Sequence, residues 1–170
     1  MKLKDIIAGL APLRTAGNTD LEVSALCSDS RQAVPGALFV AVRGYASDGH
    51  AFIGSAVGKG AVAVICEEIP AGADPAVTWV QVENSRHAVA LAADAFYGHP
   101  SERLTLVGIT GTNGKTTTVT LLYHLFRSLG YSCGLLSTIA NFVGDKRLET
   151  ANTTADPITI NRLLAEMAES

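Results

Sequence analysis

Charge is scarce in this chain. Asp, Glu, Lys and Arg make up 17% of it, with thirteen basic residues against sixteen acidic ones and a formal net charge of −3. There is no basic tract, so a nucleic acid, whose capture depends on neutralising phosphates, is excluded as the expected partner. Low charge combined with 48% hydrophobic residues and a mean hydropathy of +0.26 excludes intrinsic disorder. Cysteine is equally sparse. Cys27, Cys66 and Cys133 are widely spaced, odd in number and form no Cys-x-x-Cys or Cys/His pattern. That excludes a disulfide framework and a structural metal, and points to a reduced, cytoplasmic chain. Cys66, inside the run Ala61-Val62-Ala63-Val64-Ile65-Cys66, reads as a small buried hydrophobe. No apolar run approaches the roughly 20 residues of a membrane span. The N-terminal stretch is not a signal peptide, because Asp5 interrupts its apolar residues and Pro12 and Arg14 follow. Membrane insertion is not expected. Neither an internal repeat nor a low-complexity segment is visible.

What is present is α/β patterning in two unequal units. In the first, Pro35-Gly36 marks a turn and Ala37-Leu38-Phe39-Val40-Ala41-Val42 is a buried-strand run. Ala51–Val57 reads as a short helix with Phe52, Ala56 and Val57 on one face. Ala61–Cys66 and the alternating Val77-Thr78-Trp79-Val80-Gln81-Val82 are two more strands. Ser85 is the expected cap of a helix that buries Val89, Ala92, Ala93 and Phe96 and stops at Tyr97-Gly98-His99-Pro100. The linker is placed at His99-Pro100-Ser101-Glu102, dividing the chain into domains 1–99 and 100–170.

The second unit opens with an expected strand, Leu104–Thr110, that runs into the glycine loop Gly111-Thr112-Asn113-Gly114. Lys115 starts a helix with Val119, Leu122, Phe126 and Leu129 at helical spacing, stopped by Gly130. Ser132–Ser137 is the next expected strand, and Asp156-Pro157 caps a helix that presents Ile160, Leu163, Leu164 and Met167 on one face. These are the first elements of a parallel-sheet nucleotide domain, too few to cover both faces of such a sheet. Glu166 and Glu169 in the last turn also carry the wrong sign for that end of a helix dipole. The expectation is the opening part of a longer enzyme.

The informative stretch is Thr110-Gly111-Thr112-Asn113-Gly114-Lys115-Thr116-Thr117. Glycines between a strand and a helix let successive backbone N–H groups face one anion, and the helix adds its positive end. A lysine there reaches the β- and γ-phosphates, and the hydroxyl after it is placed to bind Mg²⁺. The general phosphate loop has glycine where Ile109 stands; here glycines fall at Gly108 and Gly111 instead. Phosphate binding follows from the loop. The identity of the acceptor does not.

That shifted glycine resembles the loop of the Mur ligase and folylpolyglutamate synthetase superfamily. Ser28-Asp29-Ser30-Arg31 and Pro35-Gly36-Ala37-Leu38-Phe39-Val40-Ala41 resemble segments shared by MurE-type and MurF-type ligases, and Asp48-Gly49-His50, Phe52-Ile53 and Gly60-Ala61 continue the pattern. Asn152-Thr153-Thr154 resembles the MurE-type segment. The resemblance runs from Ser28 to Pro157. It implies a small N-terminal α/β domain that binds the uridine diphosphate end of the substrate, followed by the beginning of a P-loop central domain. It further implies an ATP- and Mg²⁺-dependent ligase of peptidoglycan precursor synthesis, monomeric, adding a diamino acid to UDP-N-acetylmuramoyl-L-alanyl-D-glutamate through an acyl phosphate. On this resemblance Gly111, Thr112, Asn113, Gly114, Lys115, Thr116 and Thr117 bind ATP, Lys115 is the phosphate clamp and Thr116 the metal contact. Ser28, Ser30, Tyr45, Ala46 and Ser47 contact the uridine nucleotide, and Asn152, Thr153 and Thr154 the muramoyl-peptide. The chain alone is expected to be inactive, and the added residue, meso-diaminopimelate or lysine, stays open.

Taken by themselves, Ser28 and Ser30 fit turn capping as well as ligand contact. Asn113 fits loop orientation as well as phosphate contact. Arg31 either touches phosphate or pairs with Asp29, the latter favoured by their closeness in sequence. His50, with no second histidine or cysteine nearby, is expected as an ordinary surface or helix-start residue. The competing functions are a MurF-type ligase, a small P-loop kinase, which leaves residues 28–61 unexplained, and a UDP-sugar-binding module without catalysis.

Overall fold

Short apolar runs flanked by turns build the first unit around one sheet. β1 (Arg14–Ala16), β2 (Ala25–Cys27), β3 (Ala37–Val40), β4 (Ala63–Cys66) and β5 (Thr78–Gln81) lie in the order β1-β5-β4-β3-β2. β2, β3, β4 and β5 pair in parallel, and β1 closes one edge antiparallel to β5. The structure is a computed structural model that describes residues 1–44, 47–148 and 156–170. It divides into two compact units, Met1–Phe96 and Tyr97–Ser170; the boundary expected from sequence lies a few residues further on.

Every residue of β3 and β4 is buried, because a parallel strand is covered on both faces. On one face Phe39, Val64, Cys66 and Trp79 pack with Ile53 and Ala56 of α2 (Ile53–Gly58). The Trp79 indole N–H donates to the Asp74 carbonyl at 2.9 Å, so its polar end is satisfied. By alternation, Leu38, Val40, Ile65 and Val80 point to the other face, and all are fully buried. Here α3 (Ser85–Phe96) packs on α1 (Leu3–Ile7) and on β4, contributing Ala88, Val89, Ala92 and Ala93. Burial pushes the Cys27 and Cys66 thiols up to about 11, as befits small core residues.

Two sequence expectations shift by one residue. The 51–57 helix is a 3₁₀ turn, Gly49–Phe52, followed by α2, so Phe52 is left 47% exposed and Ile53 takes the core position. The cap of α3 is Asn84, whose side-chain oxygen accepts from the N–H groups of Arg86 and His87, both at 3.0 Å. Ser85 is instead the first helical residue, fully buried.

The second unit has α4 (Lys115–Ser128), the antiparallel strands β6 (Leu135–Leu136), β7 (Asn141–Val143) and β8 (Lys146–Leu148) in that order, and α5 (Pro157–Glu169). Asp156 caps α5 as expected, its carboxylate accepting from the N–H groups of Ile158 and Thr159. The expected strand Leu104–Thr110 does not form: no described segment pairs with it, and Leu106 and Val107 are each 57% exposed. A strand exists only where a neighbour accepts its ladder, so propensity alone does not make one. Likewise the expected apolar face of α4 is not buried; Leu129 is 63% exposed and no residue of the helix is buried. Tyr123 stacks on Phe142, ring centroids 5.3 Å apart, and its hydroxyl donates to the Gly144 carbonyl at 2.9 Å. Arg127 pairs with Asp145 beside it. Among the described residues no helix is long and apolar enough to cross a membrane.

Amides open with a free energy set by the buried contacts around them. Hydrogen exchange in this chain is therefore expected to be slowest in β3, β4 and β5 and markedly faster in α4. Equal protection of the two would contradict this reading of the burial pattern.

Candidate functional site

Two groups of residues carry the chemistry, one in each unit. In the second unit the loop 111–114 bends the chain into α4. Gly111 has φ +145° and Gly114, the residue before the helix, φ +75°, conformations that a side chain strongly disfavours. The first intrahelical bond runs from Thr118 N–H to Gly114 O at 2.9 Å. The N–H groups of Lys115, Thr116 and Thr117 therefore have no intrahelical acceptor and stand at the positive end of the dipole. Residues 111–115 are exposed, and Thr116 is half-buried. The Lys115 ammonium folds over its own loop and donates to Gly111 O at 2.5 Å. Free N–H groups at a helix start with a cation beside them are an arrangement suited to an anion.

In the first unit, β2 and β3 are parallel neighbours in the register Cys27↔Phe39. The segments that leave their C-terminal ends, Ser28–Arg31 and 41–44, therefore emerge at the same end of the sheet, where open α/β sheets present ligand sites. Ser28 is half-buried and Ser30 only 7% exposed. Capping, one of the two roles open to these serines, is carried out by Asp29, whose carboxylate accepts from the Arg31 N–H at 2.9 Å. Of the two roles open to Arg31, the structure shows the internal one. Its guanidinium holds Asp29 through Nε at 3.0 Å to each oxygen and a terminal nitrogen at 2.7 Å. Those bonds hold the Asp29 carboxyl below the usual carboxylate range. Lys59, at the end of α2, braces the turn by donating to the Ser30 and Arg31 carbonyls at 3.0 and 3.3 Å. Sequence reasoning missed this lysine, since no local signal links residues 29 positions apart.

Ser47 is exposed, and its carbonyl accepts from the Gly44 N–H at 2.9 Å. Tyr45, Ala46, Asn152, Thr153 and Thr154 lie outside the described residues. Of the two roles expected of His50, the helix start is the one found, in the 3₁₀ turn Gly49–Phe52, and not the surface. Its side chain is only 15% exposed, and the ring bonds Asp48 at 2.6 Å and the Glu67 N–H at 2.9 Å. Ser85, expected as a helix cap, instead donates to Glu67, a residue that sequence reasoning missed; the local signal nearby was the motif Asp48-Gly49-His50. Bonds from the Ser85 N–H first, and from its hydroxyl and Arg43, keep the Glu67 carboxyl below its ordinary range despite partial burial. Among the described residues there is no group of three or more His, Cys, Asp or Glu side chains placed to hold a metal ion.

Comparison with known proteins matches both groups to one family. Residues 22–97 match the Mur ligase family catalytic domain, and residues 109–170 the Mur ligase middle domain. The UDP-N-acetylmuramoyl-L-alanyl-D-glutamate–2,6-diaminopimelate ligase of Bacteroides fragilis is 52% identical over 169 residues, covering 99% of this chain and 35% of that protein. The ligase of the same name from Cytophaga hutchinsonii is 50% identical, covering 100% and 35%. The chain thus spans about a third of the length of the curated relatives it matches. A solved ligase of that name superposes with a TM-score of 0.73 at 22% identity, over 99% of this chain and 34% of the other, and so shares the fold. The MurF ligase of Thermotoga maritima in complex with ADP superposes with a TM-score of 0.53 at 31% identity, over 81% and 28%.

Proposed function

Because the chain belongs to the Mur ligase family, we propose that it forms the nucleotide-handling part of an ATP-dependent ligase that adds 2,6-diaminopimelate to UDP-N-acetylmuramoyl-L-alanyl-D-glutamate. The observation that carries this reading is the identity of 52% and 50% to ligases of that name over 99% and 100% of the chain. Three free cysteines, two of them buried in the core, suit the reducing cytoplasm in which such precursors are made.

The chemistry asked of the residues is phosphoryl transfer followed by acyl transfer. The D-glutamyl carboxylate attacks the γ-phosphorus of ATP, ADP leaves, and the amine of the diamino acid then displaces phosphate from the acyl phosphate. Such steps need positioning and neutralisation of charge more than a protein nucleophile. The N–H groups at the start of α4 hold the phosphates, and Lys115 leaves its loop carbonyls for the β- and γ-oxygens. Thr116 would hold Mg²⁺ through its hydroxyl oxygen. When bound, Mg²⁺ would supply neutralisation of the phosphate charge. Ser28, Ser30 and the 45–47 segment hold the uridine diphosphate end, and Asn152, Thr153 and Thr154 the muramoyl-peptide. The MurF-type alternative rests on the Ser28–Arg31 and glycine-loop segments that the two ligase types share and on fold matches to solved MurF ligases.

A coupled assay of ADP release on a full-length ligase carrying this stretch tests the proposal. Release should require both the UDP-muramoyl-dipeptide and diaminopimelate. Release driven by D-alanyl-D-alanine with the tripeptide substrate would show a MurF-type enzyme instead.

A further inference from the structure

The motif Asp48-Gly49-His50 follows directly on the 44–47 segment and has no part in the reading above. Its glycine is required by close approach. A Cβ at Gly49 would lie 2.7 Å from the Val42 nitrogen and 2.8 Å from its oxygen, where Gly49 N–H already donates to Val42 O at 2.9 Å. The chain returning from the loop therefore lies flat on the chain leaving β3. Asp48 stands next to this contact, bridged to Arg43 across the loop. Its carboxylate accepts from the His50 N–H at 3.0 Å, contacts the ring Nδ1 at 2.6 Å and pairs with Arg43 Nε at 3.4 Å.

The other ring nitrogen fixes the tautomer. The Glu67 backbone N–H lies 2.9 Å from His50 Nε2 and can only donate, so Nε2 holds a lone pair and the ring proton sits on Nδ1, directed at Asp48. Glu67 is the first residue beyond β4 and is itself locked. Its carboxylate accepts from the Ser85 N–H at 3.0 Å and hydroxyl at 2.7 Å, and pairs with Arg43 at 3.2 Å. The Ser85 hydroxyl in turn accepts from the Arg43 N–H at 3.0 Å. The end of β4 and the start of α3 thus form a rigid anchor, and the histidine ring is the strap between that anchor and the return leg of the loop.

We propose that His50 is a positioning residue for the uridine-nucleotide site, an Nδ1–H imidazole that fastens Asp48, and with it the neighbouring Ser47 bonded to Gly44, to the end of β4. The inference rests on the reading that the 45–47 segment contacts the uridine nucleotide. A ligand contact such as Ser47, held in advance through its neighbour Asp48, loses less freedom when ligand binds, and that difference appears as affinity.

The test is calorimetric titration of the 170-residue chain with UDP, for wild type, His50→Gln and His50→Ala. Glutamine reaches the Nε2 position with an amide oxygen and keeps the bond from Glu67, but it places no donor at Nδ1 and so releases Asp48. His50→Gln is expected to unfold at the wild-type midpoint yet bind UDP about tenfold more weakly, with ATP affinity unchanged. His50→Ala should lose at least as much UDP affinity. Long-range ¹H–¹⁵N correlations of the wild-type ring should show the Nδ1–H tautomer. UDP affinity within twofold of wild type in His50→Gln, or a ring proton found on Nε2, overturns the strap while leaving the uridine site standing. A wild-type chain that does not bind UDP overturns both.

Discussion

In a full-length ligase carrying this stretch, Lys115→Ala is expected to lower turnover by about a thousandfold or more, while the fold is retained. The magnitude follows from removing a preorganised charge aimed at the transferring phosphoryl group, where even a single neutral donor is worth roughly 10²–10³. The retention of the fold follows from the surroundings. Lys115 is exposed and contacts carbonyls of its own loop at 2.5 and 3.5 Å, so no core contact is lost with it. Alanine is also the better helix former at the first position of α4. Steady-state ADP release together with circular dichroism separates the two effects. Turnover within a few-fold of wild type would remove Lys115 from the phosphate site.

The largest expected effect on stability is that of Phe39→Ala. Phe39 is fully buried, with a relative exposure of 0%, and it sits in the cluster with Val64, Trp79 and Ile53. Truncating a buried phenylalanine costs about 3–5 kcal/mol through lost transfer energy and the cavity left behind. Total stability is only about 5–15 kcal/mol for a domain, so the variant should be largely or wholly unfolded in mild denaturant. The chain contains one tryptophan, Trp79, which is 4% exposed in that same cluster, so its fluorescence reports the first unit specifically. A loss below about 1 kcal/mol in urea titration would contradict the packing described, since core truncations of this kind do not fall so low.

How far sequence reached depended on the range of the interaction. β3, β4 and β5 were legible because a strand buried on both faces must be an unbroken apolar run. The glycine loop was legible because its chemistry is contiguous, and the Asp29–Arg31 pair because its partners are two residues apart. β1 and β2, of three residues each, gave no periodic signal long enough to read. The β7–β8 hairpin had a signal, Gly144-Asp145 between two short runs, that went unused. Residues 104–110 show the converse error, β propensity without a partner strand among the described residues. Lys59 on the Ser30 turn and His50 between Asp48 and Glu67 depend on segments that meet only in the folded unit, so nothing local announces them. The capping roles of Asn84 and Asp29 were read one residue off or as serine roles, because Asn, Asp and Ser side chains compete for the same turn bonds.

The central claim is a division of labour, in which the first unit holds the uridine nucleotide and the glycine loop holds ATP. Chemical-shift mapping of the ¹⁵N-labelled 170-residue chain, titrated first with UDP and then with ATP, tests it most directly. UDP should perturb the amides of residues 28–31 and 45–50 and leave Gly111–Thr117 in place, and ATP should then perturb Gly111–Thr117. Perturbations by UDP clustered at Gly111–Thr117, with residues 28–31 and 45–50 unmoved, would contradict the account.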